Sequence, residues 1–186
     1  MRSSSVFNLI AEAVQASGVR LILIGGFAVN AYGYARNTLD VDFLITETDY
    51  IKLQSILLAR GYKETARTEV FAKHASADQE DMPVDLLFVD PSTFEMIWAG
   101  GGETTVSGFG FKTPSLLHLI ALKLHAIKQG SKDRVWKDLP DIMNLVIANR
   151  MDVASADFSE ICRKFGPEGI HQKIQELSRG GSDGRA

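Results

Sequence analysis

A pair of aspartates inside an apolar segment places the strongest constraint on this chain. Residues 38–46 have the composition of a β-strand, yet Asp40 and Asp42 lie in the middle of it. Side chains alternate between the two faces of a strand, so the two carboxylates share one face. Like charges at that distance repel each other unless a cation neutralises them, and oxygen ligands suit magnesium or manganese. The pair therefore predicts a site for a divalent metal.

A third carboxylate and two glycines extend this predicted site. Asp85 begins the apolar strand predicted over residues 84–89, which we expect to pair beside the first strand and to complete the ligand set. Gly25 and Gly26 follow a predicted strand over 19–24 and precede a predicted helix over 27–34. Bare backbone N–H groups at such a junction can receive phosphate oxygens. The combination, with thirteen residues between glycines and acids, is what nucleotidyl transfer from a metal-bound triphosphate needs.

These segments resemble the nucleotidyltransferase superfamily that includes DNA polymerase beta, and within it the AbiEii/MenT-like bacterial toxins and the small antibiotic-modifying enzymes. The segments that carry the resemblance are Leu23-Ile24-Gly25-Gly26, Asp40-Val41-Asp42-Phe43 and, on a later strand, Asp85. Residues Arg36-Asn37-Thr38 are similar to the Arg-x-Thr segment that precedes the acids in the toxin-like branch.

The resemblance implies a fold and a set of roles. The fold is α+β with an α/β-type core, in which helices flank a mixed sheet and further helices follow at the C-terminus. Two Mg²⁺ or Mn²⁺ ions are held by the catalytic acids Asp40, Asp42 and Asp85. The nucleotide is bound by Gly25, Gly26, Arg36 and Thr38, with Lys123 as a further catalytic and nucleotide-binding residue.

The pattern of helices and turns divides the chain into three parts. Residues 1–112 form the predicted catalytic core, 113–178 a helical part packed on it, and 179–186 a disordered tail. In the core we expect a helix over 49–60 capped by Thr48. In the helical part we expect a helix over 113–130 with Thr113 as N-cap, a second over 139–149 and a third over 158–177.

Lys123 falls on the apolar stripe of the helix predicted over 113–130, where a lysine is unusual. One interpretation is a packed stem whose amine reaches water; the other is an amine that reaches the triphosphate or pyrophosphate, as in the similar toxin-like enzymes. Asp138 is interpreted as an N-cap and Asp141 as a favourable charge in the same first turn, with a contact to Lys123 or substrate as the alternative.

Composition excludes several classes of protein. The net charge of -3 gives no global reason to bind nucleic acid or an anionic membrane, although Lys128, Lys132, Arg134 and Lys137 form a local basic cluster. No apolar run reaches the length of a membrane-spanning helix, and the N-terminus does not have the pattern of a signal peptide. The single cysteine, Cys162, is expected in the core of a cytoplasmic protein.

The leading hypothesis is a metal-dependent enzyme that moves a nucleoside monophosphate from an NTP to an acceptor hydroxyl or phosphate. The toxin-like branch implies tRNA or protein as acceptor and a cognate antitoxin as partner; the antibiotic branch implies a small molecule. A second hypothesis is a catalytically inactive nucleotide-binding or interaction module of the same fold. A glycosyltransferase would also use an Asp-x-Asp motif, but it leaves Gly25, Gly26 and Asp85 without a role.

Overall fold

The structure is a computed structural model that describes residues 6–78, 81–130 and 132–180. Residues 181–186 of the predicted tail lie outside the described part, while Arg179 belongs to the last helix. The elements, in chain order, are α1 (Val6–Ser17), β1 (Leu21–Leu23), α2 (Gly25–Ala31), β2 (Val41–Ile45), α3 (Glu47–Ala59), β3 (Tyr62–Arg67), β4 (Phe71–Ser76), β5 (Val84–Phe88), α4 (Pro91–Gly100), β6 (Gly102–Val106), β7 (Phe109–Thr113), α5 (Leu116–Gln129), α6 (Lys132–Ala148), α7 (Ala156–Phe165) and α8 (Ile170–Gly180).

The chain forms two units. One contains the described residues up to Ala28 and Arg36–Ser115; the other contains Val29–Ala35 and the described residues from Leu116 onward. The first unit is built on a five-stranded sheet in the order β1-β2-β5-β4-β3 and a separate hairpin of β6 and β7. Strands β2 and β5 are parallel, while the other neighbours in the five-stranded sheet are antiparallel. The predicted mixed sheet is therefore confirmed.

The core of the first unit lies between the sheet and helices α1 and α3. Alternate residues of β2 and β5 point into it, because Val41, Phe43 and Ile45 are fully buried and Leu86 is nearly so. Helix α1 contributes apolar residues at helical spacing, and α3 contributes Tyr50, among others. Each large side chain buried in this way stabilises the fold by about 1.5–3 kcal/mol. This apolar layer holds one face of the strands, so the aspartates of β2 and β5 face the other side.

Several helix starts differ from the sequence predictions. Helix α3 begins earlier than expected, because Thr46 rather than Thr48 is its N-cap and accepts a bond from the Asp49 N–H at 3.3 Å. Thr113 is not an N-cap: it pairs with Gly102 at the end of β7, and α5 begins at Leu116. Helix α4 was not predicted, although Asp90 as N-cap and Pro91 in the first turn are the standard signal for a helix start.

The second unit contains helices α5 to α8. The single helix predicted over 158–177 is wrong, because Gly166 ends α7 with its N–H bonded to the Cys162 carbonyl and α8 begins at Ile170. A side chain at Gly166 would collide with that carbonyl and with Ile170, so this turn has no room for a larger residue. Cys162 is buried as predicted, and burial raises the pKa of its thiol to about 11.

Among the helices that the structure describes, none has both the length and the apolar character that crossing a bilayer requires.

Candidate functional site

Three aspartates converge at one end of the parallel strand pair. Asp42 of β2 lies directly opposite Asp85 of β5 in the register, and Asp40 immediately precedes β2. One carboxylate oxygen from each residue lies within 4.8 Å of the other two, and all three residues are partly exposed. The strand is shorter than predicted, since it begins at Val41, whose N–H bonds to the Pro83 carbonyl at 2.9 Å. The predicted cluster of Asp40, Asp42 and Asp85 is nevertheless brought together.

Asp40 is oriented by a residue from the segment before it. The Thr38 hydroxyl lies 3.1 Å from the Asp40 carbonyl oxygen and 3.1 Å from its Oδ1, and it can donate to either. A carboxylate outside the sheet has no ladder to restrain it, so this bond limits its rotation. Thr38 was predicted to bind nucleotide; its observed contact is with a member of the acidic cluster.

Gly25 and Gly26 allow the start of α2 to approach the acids closely. Gly25 has a φ of +62°, and a Cβ placed there would overlap the carboxylate of Asp42. A Cβ at Gly26 would lie 2.6 Å from the Thr38 hydroxyl oxygen and 3.1 Å from a guanidinium nitrogen of Arg36. Both glycines are therefore required by packing against the predicted site residues. Their predicted role in binding phosphate remains a prediction.

Lys73 lies at the acidic cluster, although the sequence did not indicate it. It lies on β4 directly opposite Asp85, and its Nζ is 2.5 Å from Oδ2 of that carboxylate. Lys73 is about half exposed, whereas Asp85 is more covered. In the sequence it is a lysine far from the three acids, and only the pairing of β4 with β5 places it beside them.

A cavity of about 320 Å³ lies beside this part of the sheet. Its lining combines two of the clustered acids with residues of β3, β4 and the preceding loops: Leu39, Asp40, Thr65, Lys73, His74, Ala75, Pro83 and Asp85. The cavity therefore opens directly onto Asp40 and Asp85, and the molecule has space there for a small group next to the acids.

His74 is fully buried beside this cavity and packs near the ring of Tyr50. Neither ring nitrogen has a hydrogen-bond partner among the described residues. Burial lowers the pKa of His74 below its ordinary value of 6.5, and this outweighs the opposing effects of Glu64 and Asp85. His74, for which the sequence indicated no ligand role, is a neutral core residue.

The depressed pKa of His74 predicts that the protein loses stability in mild acid. The unfolded chain takes up a proton on this histidine at a higher pH than the folded chain does. The stabilising contribution of the buried, neutral His74 is therefore complete above about pH 6.5 and is lost as the pH falls below that value. We expect the free energy of unfolding, measured with urea at about pH 7.5 and about pH 5.5, to differ less in His74→Leu than in the wild type.

Burial also lowers the pKa of His118, so part of the pH dependence of stability remains in His74→Leu. The control is His125→Gln, since His125 is exposed on α5. If the free energy of unfolding of His74→Leu depends on pH as strongly as that of the wild type, the lowered pKa of His74 is contradicted.

Lys123 has two buried partners within the second unit. Its Nζ lies 3.0 Å from Oδ1 of Asp138 and 2.6 Å from Oδ2 of Asp141, and all three residues are less than about a tenth exposed. Arg134 adds a longer contact of 3.7 Å to the second oxygen of Asp138. The cluster thus combines two positive and two negative charges.

The capping interpretation of Asp138 is wrong, because α6 begins at Lys132 and runs through Pro140. Asp138 and Asp141, three residues apart, lie on the same face of that helix and meet Lys123 on α5. The alternative interpretation, a contact between Asp138 and Lys123, is the one observed. The predicted action of Lys123 on the nucleotide remains a prediction.

The acidic cluster has the chemistry of a site for a hard divalent cation. Its donors are all carboxylate oxygens, which suit Mg²⁺ and Mn²⁺ rather than softer metals. The three oxygens come from two neighbouring strands and are close enough to share one or two ions. Asp40, Asp42 and Asp85 therefore fit the predicted ligand set.

A family described as "Uncharacterised nucleotidyltransferase" matches residues 4–174 of the sequence. The chain belongs to this family. The match covers both units of the nucleotidyltransferase, including the acidic cluster and the buried Lys123. No curated protein matches the chain.

Solved structures share the fold of this nucleotidyltransferase at low identity. The solution structure of the antibiotic-resistance factor ANT(2'')-Ia has a TM-score of 0.60 and 15% identity, and the alignment covers 95% of this chain and 96% of that one. An antigenic nucleotidyltransferase-like protein from Paracoccidioides brasiliensis has a TM-score of 0.57 and 17% identity, with 94% and 89% covered. Lincomycin-bound LnuA, a lincosamide antibiotic adenylyltransferase, has a TM-score of 0.53 and 18% identity, with 73% and 91% covered.

Proposed function

We propose that this protein is a metal-dependent enzyme that transfers a nucleoside monophosphate from an NTP to an acceptor hydroxyl or phosphate and releases pyrophosphate. The observation that carries the proposal is the convergence of Asp40, Asp42 and Asp85 at the end of two parallel strands. Three carboxylates this close favour a bound cation, because they would otherwise repel one another. Membership of a nucleotidyltransferase family supports the same reaction class.

Asp40 and Asp42 would hold two Mg²⁺ or Mn²⁺ ions together with Asp85. Such ions neutralise the triphosphate and the leaving pyrophosphate, and they lower the pKa of an acceptor hydroxyl. Thr38 restrains the Asp40 carboxylate, so that it keeps one orientation while the nucleotide enters. Gly25 fixes the distance between α2 and Asp42, because any side chain there would push the carboxylate away.

Asp85 is the group we assign to the acceptor side. It borders the cavity, whereas Asp42 lies against Gly25 at the start of α2. A hydroxyl that enters the cavity can therefore reach Asp85, which would accept its proton. Gly25 lies against Asp42, and Gly26 lies close to the guanidinium of Arg36. We assign the backbone of both glycines and this guanidinium to the phosphates of the NTP.

The acceptor is sought in three classes: tRNA, protein and small molecules. A crystal structure of ANT(2'')-Ia holds adenylyl-2''-tobramycin, a small molecule. That structure shares only the fold with this chain, at 13% identity, so it does not single out an antibiotic as the acceptor. Action as a toxin with a cognate antitoxin remains a prediction from the sequence resemblance.

The proposal is tested by titrating each of the four NTPs, with Mg²⁺, into the wild type and into the Asp40→Asn/Asp42→Asn variant in a calorimeter. We expect the wild type to bind at least one NTP only when Mg²⁺ is present. The variant should lose at least about tenfold in affinity, because each substitution removes a charged metal ligand. Exposed Asp157, changed to Asn, is the control for the loss of a negative charge.

Binding in the wild type justifies a search for the acceptor with labelled NTP over the three classes. Binding that is independent of Mg²⁺, or that the double variant retains, would contradict the assignment of the acids. Binding of no NTP by the wild type would favour the interaction module over the enzyme.

A further inference from the structure

Lys73 forms an ion pair with the acid that we assign to the acceptor side. The two residues are cross-strand neighbours on β4 and β5, and Lys73 Nζ lies 2.5 Å from Asp85 Oδ2. A cross-strand pair of opposite charges in which one side chain is half exposed stabilises a sheet only slightly. Sheet stability alone therefore gives little reason for a cation at this position.

Lys73 and a metal ion would compete for the carboxylate of Asp85. Oδ2 of Asp85 accepts from the ammonium group, which neutralises part of the negative charge that a metal ion at this carboxylate needs. An ammonium group next to a divalent cation also repels it. The lysine is covalently tethered, so it competes for Asp85 at a high local concentration.

The surroundings allow Lys73 to leave Asp85. Its side chain lines the cavity of about 320 Å³ and is 49% exposed, so the flexible stem has room to turn. Lys63 of β3 lies on the same face of the sheet, because it is paired with Ala75, two residues along β4 from Lys73. Lys63 is therefore a suitable control, because replacing it removes one positive charge from the same face without removing the contact with Asp85.

We propose that Lys73 is a positioning residue that occupies Asp85 while the site holds no metal and is displaced from it when the metal binds. The inference rests on the proposed function, because it takes Asp85 as a metal ligand. Its consequence is an order of binding. Bare divalent cations bind weakly against the tethered lysine, and the metal enters with the NTP, whose phosphates add the ligands that overcome this competition.

The test measures Mn²⁺ binding without nucleotide, by calorimetry and by the spin-resonance signal of free Mn²⁺. We expect Lys73→Met to bind Mn²⁺ about tenfold more tightly than the wild type, because the competing charge is gone. Lys73→Arg, which keeps the charge, and Lys63→Met, which removes a more distant one, should bind like the wild type. With a non-hydrolysable NTP analogue present, the difference between Lys73→Met and the wild type should shrink.

An Mn²⁺ affinity of Lys73→Met equal to or weaker than that of the wild type would overturn the inference. If the wild type still binds Mn²⁺ with the NTP analogue, only the role of Lys73 fails and the proposed function stands. If neither protein binds Mn²⁺ with or without the analogue, both fail. Urea unfolding of each variant verifies the fold, and Lys73→Gln replaces Lys73→Met if the latter does not fold.

Discussion

Replacing Gly25 with alanine is expected to abolish the proposed metal-dependent NTP binding and to slow the proposed release of pyrophosphate at least about 100-fold. The added methyl group would overlap the carboxylate of Asp42 and lie 2.7 Å from its Cβ. Either the Asp42 side chain or the backbone at the start of α2 must shift, so the arrangement of the acidic cluster changes. A displacement of about 1 Å in a catalytic group is enough for a rate loss of this size.

Gly18→Ala is the matched control for this substitution. Gly18 has the same φ of +62°, but a Cβ there would meet no atom within 4 Å. Both variants therefore carry the cost of a left-handed backbone at a non-glycine residue, which is about 1–2 kcal/mol. Only Gly25→Ala should lose Mn²⁺ and NTP binding. Equal binding by the two variants would show that the contact with Asp42 does not position the acid.

Replacing Lys123 with methionine is expected to destabilise the protein by about 3–5 kcal/mol. The substitution keeps a chain of similar length but leaves Asp138 and Asp141 buried without the cation that both contact. Arg134 is too distant and too exposed to replace it, since its guanidinium lies 3.7 Å from Asp138 and its side chain is 52% exposed. Urea unfolding of the variant and the wild type measures the loss.

Two further variants separate the charge from the change in shape. Lys128→Met changes an exposed lysine of the same helix and should have little effect on stability. Combining Lys123→Met with Asp138→Asn and Asp141→Asn removes all three charges and should restore part of the lost stability. A single variant as stable as the wild type would contradict the structural role.

The triple variant also tests the predicted action of Lys123 on the nucleotide. If this folded protein binds NTP with Mg²⁺ as the wild type does, Lys123 acts only within its buried cluster. If it is stable but loses NTP binding, the predicted role at the triphosphate is supported.

Much of the fold could be predicted because its signals are local. The apolar segments 19–24 and 84–89 and the start and stop signals of the C-terminal helices are properties of short segments, and they predicted strands and helices there, whereas the mixed sheet was implied by the family resemblance. The errors also have local causes. Thr113, Pro114 and Leu116 form an ordinary helix start, but pairing of Thr113 with Gly102 in the hairpin overrides it. Asp138 was interpreted as an N-cap, yet α6 begins at Lys132 and continues through Pro140.

The candidate site divides in the same way between sequence and structure. The sequence alone determined that Asp40 and Asp42 lie close together, because they are two residues apart in the chain, although Asp40 precedes β2 instead of lying in it. Only the tertiary structure decided that Lys73 is bonded to Asp85, that Gly25 touches Asp42, and that Lys123 is held by Asp138 and Asp141. These contacts depend on strand register and helix packing, which join residues far apart in the chain and are decided by the summed burial of many side chains.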